Sequence, residues 1–358
     1  WALQAEQNGT GHAVMQAMPT MADVDRVLVL YGDVPLITAT TLQRLIDCCA
    51  AQALGLLTAR LDDPTGYGRI VRDSGHGVQR IVEQKDATEA ELAIEEINTG
   101  FLVADRARLD NWLGRLDSNN AQGELYLTDV TGIAAAEGVT VASTQPDSLE
   151  EVSGVNDRVQ LAALERYHQA RLADALMRAG ASLADPARVD IRGRLTVGRD
   201  VNIDVNLVVE GEVHIADGVS IGPNCLLKDC SIGSGTRVFA NSVIEDARVG
   251  SDARIGPFAR LRPGASLAND VHVGNFVEIK KADVGQGSKV NHLSYIGDAR
   301  IGSGVNVGAG TITCNYDGAN KHLTEIGDGA FIGSNTALVA PISVGESATV
   351  GAGSVIGR

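Results

Sequence analysis

The chain has 358 residues and is acidic, with 30 Lys and Arg against 45 Asp and Glu and a formal net charge of −15. Nucleic-acid phosphates repel such a surface, so we expect no nucleic-acid partner, and a phosphate compound must be bound by local clusters of Lys and Arg. No unbroken apolar run reaches the length of a membrane span, so no membrane insertion is expected. The length and a hydrophobic fraction of 44% allow two cores, and therefore two domains.

The first half of the chain has an α/β pattern. Residues 25–31 form a near-continuous apolar run of strand length, and Thr38 opens a predicted helix over residues 38–51. Because ligands collect beyond the carboxyl ends of strands in open parallel sheets, Asp33 is placed where a metal ion or a phosphate would be bound. Further strands are predicted at residues 55–61, 68–72, 78–83 and 100–104. A long helix over residues 158–179 is expected to join the two halves.

The second half carries a six-residue period. From Val197 to Ile356 an aliphatic residue returns at every sixth position, with four intervals shortened to five residues. A helix would spread such residues about 240° apart and a single strand would alternate at every second residue, so neither explains the pattern. Three hexads, each a short strand and a corner, close one triangular coil, and stacked coils bury the aliphatic residues in columns. The period therefore predicts a parallel β-helix of hexapeptide repeats.

Short motifs in the first half carry a resemblance to a known family. They are Gln4-Ala5-Glu6-Gln7, Gly9-Thr10-Gly11-His12-Ala13, Tyr31-Gly32-Asp33-Val34-Pro35-Leu36, Gly66-Tyr67-Gly68-Arg69-Ile70, Ile81-Val82-Glu83, Glu96-Ile97-Asn98-Thr99-Gly100 and Gly154-Val155-Asn156. These motifs resemble those of sugar-1-phosphate nucleotidyltransferases. Joined to hexapeptide repeats, the set closely resembles the bacterial bifunctional N-acetylglucosamine-1-phosphate uridylyltransferase/glucosamine-1-phosphate N-acetyltransferase family.

The resemblance implies an α/β nucleotidyltransferase domain of Rossmann-like type, followed by a left-handed parallel β-helix of hexapeptide repeats. The expected boundaries are residues 1–157 for the nucleotidyltransferase domain, 158–180 for a linker helix and 181–358 for the acetyltransferase domain. It also implies a cytoplasmic homotrimer that acts on sugar-phosphate and nucleotide substrates, with acetyl-CoA and UTP as co-substrates.

For the first domain, the resemblance implies uridylyl transfer from UTP to N-acetylglucosamine 1-phosphate with release of pyrophosphate. Asp33 and Asn156 would hold Mg²⁺, which prefers oxygen ligands and keeps several waters. Gln4, Gly9 and Thr10 match positions that contact uracil. The full set matching the UDP-N-acetylglucosamine site is Gln4, Gly9, Thr10, Tyr31, Gly32, Asp33, Gly68, Glu83, Asn98, Thr128 and Asn156.

For the second domain, candidate residues lie on coils about eighteen residues apart, which stack as neighbours. His292 is the candidate general base for acetyl transfer to glucosamine 1-phosphate, because a neutral imidazole accepts a proton near neutral pH. Glu278, one coil earlier, is expected to orient the ring. The residues expected to bind the glucosamine phosphate are Arg262, Lys280, Tyr295, Asn306 and Lys321. Those matching the acetyl-CoA cleft are Ala309, Asn315, Tyr316, Ser334 and Ala352.

The chain departs from the family at both ends. The family's Gly-rich phosphate loop and its Lys belong before Trp1, and its C-terminal arm belongs after Arg358, so the chain is expected to be a fragment that lacks both. Acetyl transfer alone in this truncated form is therefore one alternative. Others are a single-activity nucleotidyltransferase with a structural β-helix, a noncatalytic trimeric scaffold, and a zinc enzyme using His214, His272 and His292.

Overall fold

The fold consists of two units, residues 1–164 and residues 165–358. The computed structural model describes residues 1–49 and 54–357, so the end of the helix predicted over residues 38–51 lies outside the described residues. Within the part that is described, no helix is both long enough and apolar enough to span a membrane.

The first unit is an α/β domain, as predicted. Its strands are β1 (Arg26–Val29), β2 (Leu54–Arg60), β3 (Arg69–Arg72), β4 (Val78–Val82), β5 (Glu96–Asp105) and β6 (Val141–Thr144). Its helices are α1 (Thr10–Ala17), α2 (Ala39–Cys48), α3 (Glu89–Leu92), α4 (Arg106–Leu113) and α5 (Asp129–Ala136), and α6 (Arg158–Arg178) begins in this unit and ends in the second. Short 3-10 turns cover Met18–Met21, Leu149–Val152 and Pro186–Arg188. Thr38 caps α2, accepting a hydrogen bond from Thr41 N at 3.2 Å, as the sequence predicted.

The sheet of the first unit is mixed rather than parallel. Its order is β4-β3-β5-β2-β6, with β1 beside β5. Among the described residues only β2 and β6 pair in parallel, and β1 runs antiparallel to β5. The parallel setting assumed for Asp33 is therefore wrong at β1, although Asp33 does follow that strand.

Both faces of this sheet are covered by apolar side chains. Along β5, Phe101 and Val103 belong to one buried cluster, whereas Leu102 and Ala104 belong to another. Successive residues of a strand point to opposite faces, so β5 is packed on both sides. Strand β5 begins at Glu96, earlier than the predicted start at residue 100, so the motif around Asn98 lies inside the strand.

The second unit is built of short strands. They are β7 (Ala181–Leu183), β8 (Val189–Val197), β9 (Val201–Ile203), β10 (Leu207–Ile215), β11 (Ser220–Ile221), β12 (Leu226–Ile232), β13 (Arg237–Val238), β14 (Val243–Glu245), β15 (Ala247–Val249), β16 (Arg254–Ile255), β17 (Arg260–Leu261), β18 (Ala265–Leu267), β19 (His272–Asn275), β20 (Glu278–Val284), β21 (Lys289–His292), β22 (Tyr295–Ile301), β23 (Asn306–Val307), β24 (Ile312–Cys314), β25 (Thr324–Ile326), β26 (Phe331–Ile332), β27 (Ala337–Val339), β28 (Ile342–Val344), β29 (Thr349–Val350) and β30 (Val355–Ile356).

These strands form a parallel β-solenoid of the left-handed hexapeptide type, which confirms the predicted fold. The first face is the ten-stranded sheet from β7 to β29, and the second and third faces carry the remaining strands. On most coils the partners are 17 or 18 residues apart, as in Val209↔Leu227 and Leu227↔Ile244 on the second face. Each of these three side chains is 0% exposed, so the aliphatic residues of the hexads form the core.

The four shortened intervals all fall at the corner between the second and third faces. The second residue after the aliphatic anchor takes a left-handed φ there, at Asp229 (45°), Asp246 (42°), Lys281 (45°) and Asp298 (48°). Asp adopts this conformation more readily than most residues because its short polar side chain can bond locally. The corner is thus tightened by one residue without a glycine.

One loop leaves the solenoid between β24 and β25. Arg300 pairs with Glu325, 25 residues further along the chain, whereas Asp283 pairs with Arg300 at a spacing of 17. The inserted segment is tied together by a backbone bridge between Tyr316 and Lys321. We call residues 315–323 the inserted loop.

Candidate active sites

The residues predicted to contact uracil lie together at the start of α1. Gln4 Nε2 donates to Gly9 O at 3.1 Å, and Thr10 Oγ1 accepts a hydrogen bond from Leu127 N at 3.1 Å. Gly9 has φ +102°, and a Cβ placed on it would lie 2.7 Å from Leu125 O. Only glycine fits this entry to the helix without displacing the backbone beside it.

Tyr31 follows β1 and lies flat against Gly100. A Cβ on Gly100 would lie 1.7 Å from the Tyr31 ring, and Gly100 itself has φ +87°. Burial raises the pKa of the Tyr31 hydroxyl, and the nearby carboxylates of Glu83 and Asp33 raise it further. Tyr31 thus forms a partly buried wall beside two acidic groups of the predicted sugar site.

The other predicted sugar-site residues converge on Glu83. Thr128 Oγ1 donates to Glu83 Oε1 at 2.8 Å, and a Cβ on Gly68 would lie 3.3 Å from Glu83 Oε2. Asn98 N donates to Gly68 O at 2.8 Å. The structure therefore brings Gly68, Glu83, Asn98 and Thr128 into one cluster.

The two predicted metal ligands lie on adjoining segments. Val155 N donates to Asp33 O at 2.9 Å, which brings Asn156 to the end of the loop after β1, and both side chains are exposed. One carboxylate and one carboxamide oxygen fit a hard cation that keeps most of its waters. No group of three or more His, Cys, Asp and Glu within residues 1–49 and 54–357 is placed to hold a metal ion. Gly32, also predicted here, has open space around its Cα.

The sequence reasoning missed Asp129, at the start of α5 beside this cluster. Burial raises its pKa from the ordinary 3.8 to about 6, and the carboxylates of Asp117, Glu83 and Asp86 add to the shift. No sequence motif separates this acid from the many exposed ones, because its acidic neighbours come from two other segments of the chain, residues 83–86 and residue 117.

In the second unit, an outward column of alternating charge runs along the second face. It consists of the residue directly after each aliphatic anchor, namely Arg192, Glu210, Lys228, Glu245, Arg262 and Lys280. Glu210 pairs with Arg192 at 3.5 Å and with Lys228 at 3.4 Å. The alternation breaks at Arg262 and Lys280, two successive cations.

The break in this charge column is where the predicted phosphate-binding residues meet. The pKa of the Lys280 ammonium is lowered, first by the neighbouring Lys321 of the inserted loop and then by burial and Arg262. Lys280 forms no ion pair within the described chain, whereas Arg262 Nη1 contacts Glu278 Oε1 at 2.6 Å. Arg262, Lys280 and Lys321 therefore converge into a cationic pocket, and like charges accumulate there.

His292 is exposed at the end of β21, and its ring is held by a residue that the sequence reasoning missed. His292 Nδ1 lies 2.9 Å from Asn275 Oδ1. A carboxamide oxygen only accepts hydrogen bonds, so Nδ1 carries the proton and Nε2 is left as a base. The orienting role predicted for Glu278 is wrong: Glu278 lies on the second face and pairs with Arg262, whereas Asn275 is the partner of His292 in the strand register.

The corner after the first face carries three of the five predicted acetyl-CoA residues, Ala309, Ser334 and Ala352. Register pairs connect Val273, Val290, Val307, Ile332 and Val350 on successive coils. The second residue after each forms what we call the corner column, which consists of Asn275, His292, Ala309, Ser334 and Ala352. All but the first two have small side chains, so little side-chain bulk lies along this corner beyond His292.

Three further predicted residues take different positions. Asn315, 7% exposed, donates through Nδ2 to Asp298 Oδ2 at 2.5 Å and contacts the Tyr295 hydroxyl at 3.5 Å. Tyr316 is exposed, and its hydroxyl donates to Gly318 O within the inserted loop. Asn306 lies on the first face, so the structure does not place it with the cationic pocket.

Comparisons with known proteins agree with both units. Residues 1–148 match the family model for a nucleotidyl transferase, and residues 323–358 match the bacterial transferase hexapeptide model of six repeats. Residues 191–284 match the model of the GMPPB C-terminal domain. The fold and these matches define a nucleotidyltransferase joined to a hexapeptide-repeat transferase.

Full-length relatives name the family. The chain is 59% identical to the bifunctional protein GlmU of Burkholderia vietnamiensis over 99% of this chain and 79% of the relative. It is 59% identical to that of Methylococcus capsulatus over 100% and 78%, and 58% identical to that of Marinobacter nauticus over 100% and 79%. The chain belongs to the bifunctional GlmU family, which confirms the predicted resemblance, and it is a transferase with uridylyltransferase and acetyltransferase activities.

The raised pKa of Asp129 predicts a pH-dependent stability. A carboxyl group whose folded pKa exceeds its unfolded value takes up a proton on folding between pH 4 and 6, approximately, so its contribution to stability falls as pH rises through this window. Asp129→Asn should therefore melt above the wild type at pH 7.5 and close to it at pH 4. Thermal unfolding across this range tests it, with Asp23→Asn in an exposed loop as control. An equal change at both pH values would contradict the assignment.

Proposed function

We propose that residues 181–358 transfer the acetyl group of acetyl-CoA to the amine of glucosamine 1-phosphate, with His292 as general base. Residues 1–157 then transfer uridylyl from UTP to the N-acetylglucosamine 1-phosphate formed. The observation that carries the first assignment is the Asn275–His292 hydrogen bond beside the break in the charge column. A base and a cationic pocket, in which Lys280 has no ion-pair partner among the described residues, lie there on neighbouring coils.

His292 supplies the proton acceptor. An ammonium group is not nucleophilic, and a neutral imidazole within hydrogen-bond reach can take its proton. The amine nitrogen then bonds to the thioester carbonyl carbon and the carbon–sulfur bond breaks. The proton that the nitrogen loses as the amide forms goes to the departing sulfur, so CoA leaves as a thiol. Asn275 acts as a positioning residue, because it fixes the tautomer in which Nε2 faces away from the protein partner.

The cationic pocket supplies phosphate binding. Arg262, Lys280 and Lys321 repel one another in the absence of an anion, and a sugar phosphate relieves that repulsion with charge-assisted hydrogen bonds. Tyr295 and Asn315 are in reach of the sugar hydroxyls on the same face. We retain Asn306 as a sugar ligand only because it matches a sugar-binding position of the family.

The corner column supports binding of the acetyl-CoA arm. Neighbouring strands lie about 4.8 Å apart, so His292 and Ala352 are separated by about 14 Å along the column. The small side chains of Ala309 and Ser334 between them leave room for an extended pantetheine chain. Asn315 and Tyr316 match this site in the family, and Asn315 is shared with the sugar-phosphate site proposed above.

We also propose a homotrimer. Phe258 and Phe276 stack at 5.1 Å between ring centroids and are 48% and 55% exposed, and Leu293, next to His292, is 63% exposed. A line of large apolar side chains in water favours burial between copies of the chain. Such an interface would cover the corner that carries His292.

In the first unit, Asp33 and Asn156 would hold Mg²⁺, which neutralises charge on the nucleotide phosphates when bound. Gln4, Gly9 and Thr10 form a backbone-rich edge that suits a planar base. Glu83, Thr128 and Asn98 orient the sugar, while the Tyr31 ring closes one side. These residues position the reactants, which is the main contribution that a protein makes to this chemistry.

His292→Ala should lower kcat for acetyl transfer at least about 100-fold, because general-base catalysis is worth this much, with an unchanged melting temperature since the side chain is exposed. Release of CoA thiol with glucosamine 1-phosphate as acceptor measures it. The control is His272→Ala, on the neighbouring strand β19. Wild-type turnover in His292→Ala would refute the role of His292 as the general base.

Asp33→Asn should abolish pyrophosphate release from UTP and weaken Mn²⁺ binding, followed by electron paramagnetic resonance, because an amide cannot supply the anionic ligand. Asp25→Asn, at the other end of β1, is the control. Undiminished Mn²⁺ affinity in Asp33→Asn would remove Asp33 from the metal site.

A further inference from the structure

Asp298 lies close to Asn315 and Lys280, two residues proposed to bind the amino sugar phosphate. It occupies the corner after Ile296 with φ 48°, one coil away from Asn315, and the two positions are equivalent in the strand register. Its Oδ2 accepts the Asn315 Nδ2 hydrogen bond at 2.5 Å. Asp298 belongs to none of the residue sets given for the two activities above.

The carboxylate fixes which way the Asn315 amide faces. An ionised carboxylate only accepts hydrogen bonds, so the amide nitrogen must point to Asp298 and the oxygen must point away. Among the described residues, Asn315 Oδ1 forms no hydrogen bond, so it remains an acceptor for a ligand. The side chain is 7% exposed, which leaves it little freedom to turn.

The neighbouring glycine leaves space for this arrangement. A Cβ on Gly297 would lie 2.4 Å from the Tyr295 hydroxyl and 2.9 Å from Asn315 Nδ2. The missing side chain therefore allows Tyr295 to lean over its own strand toward Asn315. Tyr295, Asn315 and Asp298 form one hydrogen-bonded group across two coils.

Asp298 also acts on the cationic pocket. Its negative charge raises the pKa of Lys280, against the lowering by Lys321, burial and Arg262. Among the described residues Asp298 does this without forming an ion pair with Lys280, so the ammonium remains able to bind an anion.

A purely structural role is the alternative. Asp229 and Asp246 occupy the same corner position on earlier coils with similar φ, and neither is among the groups that shift the pKa of Lys280. Asp229 Oδ1 accepts a backbone hydrogen bond, from Glu212 N at 3.0 Å, whereas Asp298 binds a side-chain amide. Asp298 thus makes a side-chain contact that, within the described residues, Asp229 and Asp246 at the equivalent corners do not make.

We propose that Asp298 is a positioning residue for acetyl transfer, which orients Asn315 with its carbonyl oxygen toward the amino sugar phosphate. This inference rests on the proposed binding of glucosamine 1-phosphate by Asn315 and Lys280. Asp298→Asn is the informative variant, since Asn tolerates a left-handed φ equally well while it can no longer dictate the direction of the Asn315 amide.

The experiment measures steady-state acetyl transfer by the full chain with glucosamine 1-phosphate as the varied substrate. Asp298→Asn should lower kcat/KM for the sugar phosphate about tenfold, equivalent to the loss of one oriented hydrogen bond, with the melting temperature unchanged. Asp246→Asn, at the equivalent corner, should leave kcat/KM within about twofold of wild type. In an Asn315→Ala background, Asp298→Asn should have less than about a twofold further effect, because the residue acts through Asn315.

Each outcome distinguishes the inference from the proposed function. If Asp298→Asn matches wild type while Asn315→Ala and Lys280→Met are impaired, the positioning role is overturned and the site stands. If Asn315→Ala and Lys280→Met are themselves as active as wild type, the proposed site fails first. If kcat/KM falls equally in Asp298→Asn and Asp246→Asn and both variants melt at lower temperatures, Asp298 only stabilises the corner of the coil and the positioning role is overturned.

Discussion

Each buried aliphatic residue of the solenoid pairs with its counterpart one coil away, and this register determines where every outward side chain lies. Leu227 and Ile279 are 0% exposed on the same face, and the residues that follow them, Lys228 and Lys280, share one outward column. A slip of one residue would turn the core outward, so the register is strongly specified. Side chains distant in sequence, such as Asn275 and His292, are thereby held at hydrogen-bond distance without any loop to position them.

The residues proposed to bind the sugar phosphate lie where the solenoid departs from its regular pattern. Along the second face, cations and anions alternate from coil to coil, which offsets repulsion between neighbours, until Arg262 and Lys280 follow one another. The inserted loop then adds Lys321 to the same place. A protein surface that concentrates like charge where alternation was available loses local stability, and a bound anion restores it. The same region holds Tyr295, the base on the adjoining corner and the small residues beyond it.

Sequence reasoning predicted much of this, with informative failures. The hexads gave the core residues and the inserted loop, because a strict period leaves few alternatives. Glu278 was wrongly assigned to His292 because a spacing of about one coil does not say which face a residue occupies; counting 17 residues back from His292 leads to Asn275. Asp298 was missed since acids are common at left-handed corners, and Asp129 because its acidic neighbours come from separate segments. In the first unit the motif residues Gly68, Asn98 and Thr128 lie around Glu83 in the structure, whereas the antiparallel pairing of β1 left no trace in its apolar pattern.

The central claim is that the broken charge alternation at Lys280 is a phosphate site. Calorimetric titration of glucosamine 1-phosphate into Lys280→Glu and Lys228→Glu tests it most directly, because the first substitution restores the alternation and the second, between Glu210 and Glu245, destroys it. We expect Lys280→Glu to bind at least about 30-fold more weakly with an unchanged melting temperature, and Lys228→Glu to bind normally but melt lower. Wild-type affinity in Lys280→Glu, or equal weakening in both variants, would contradict the account.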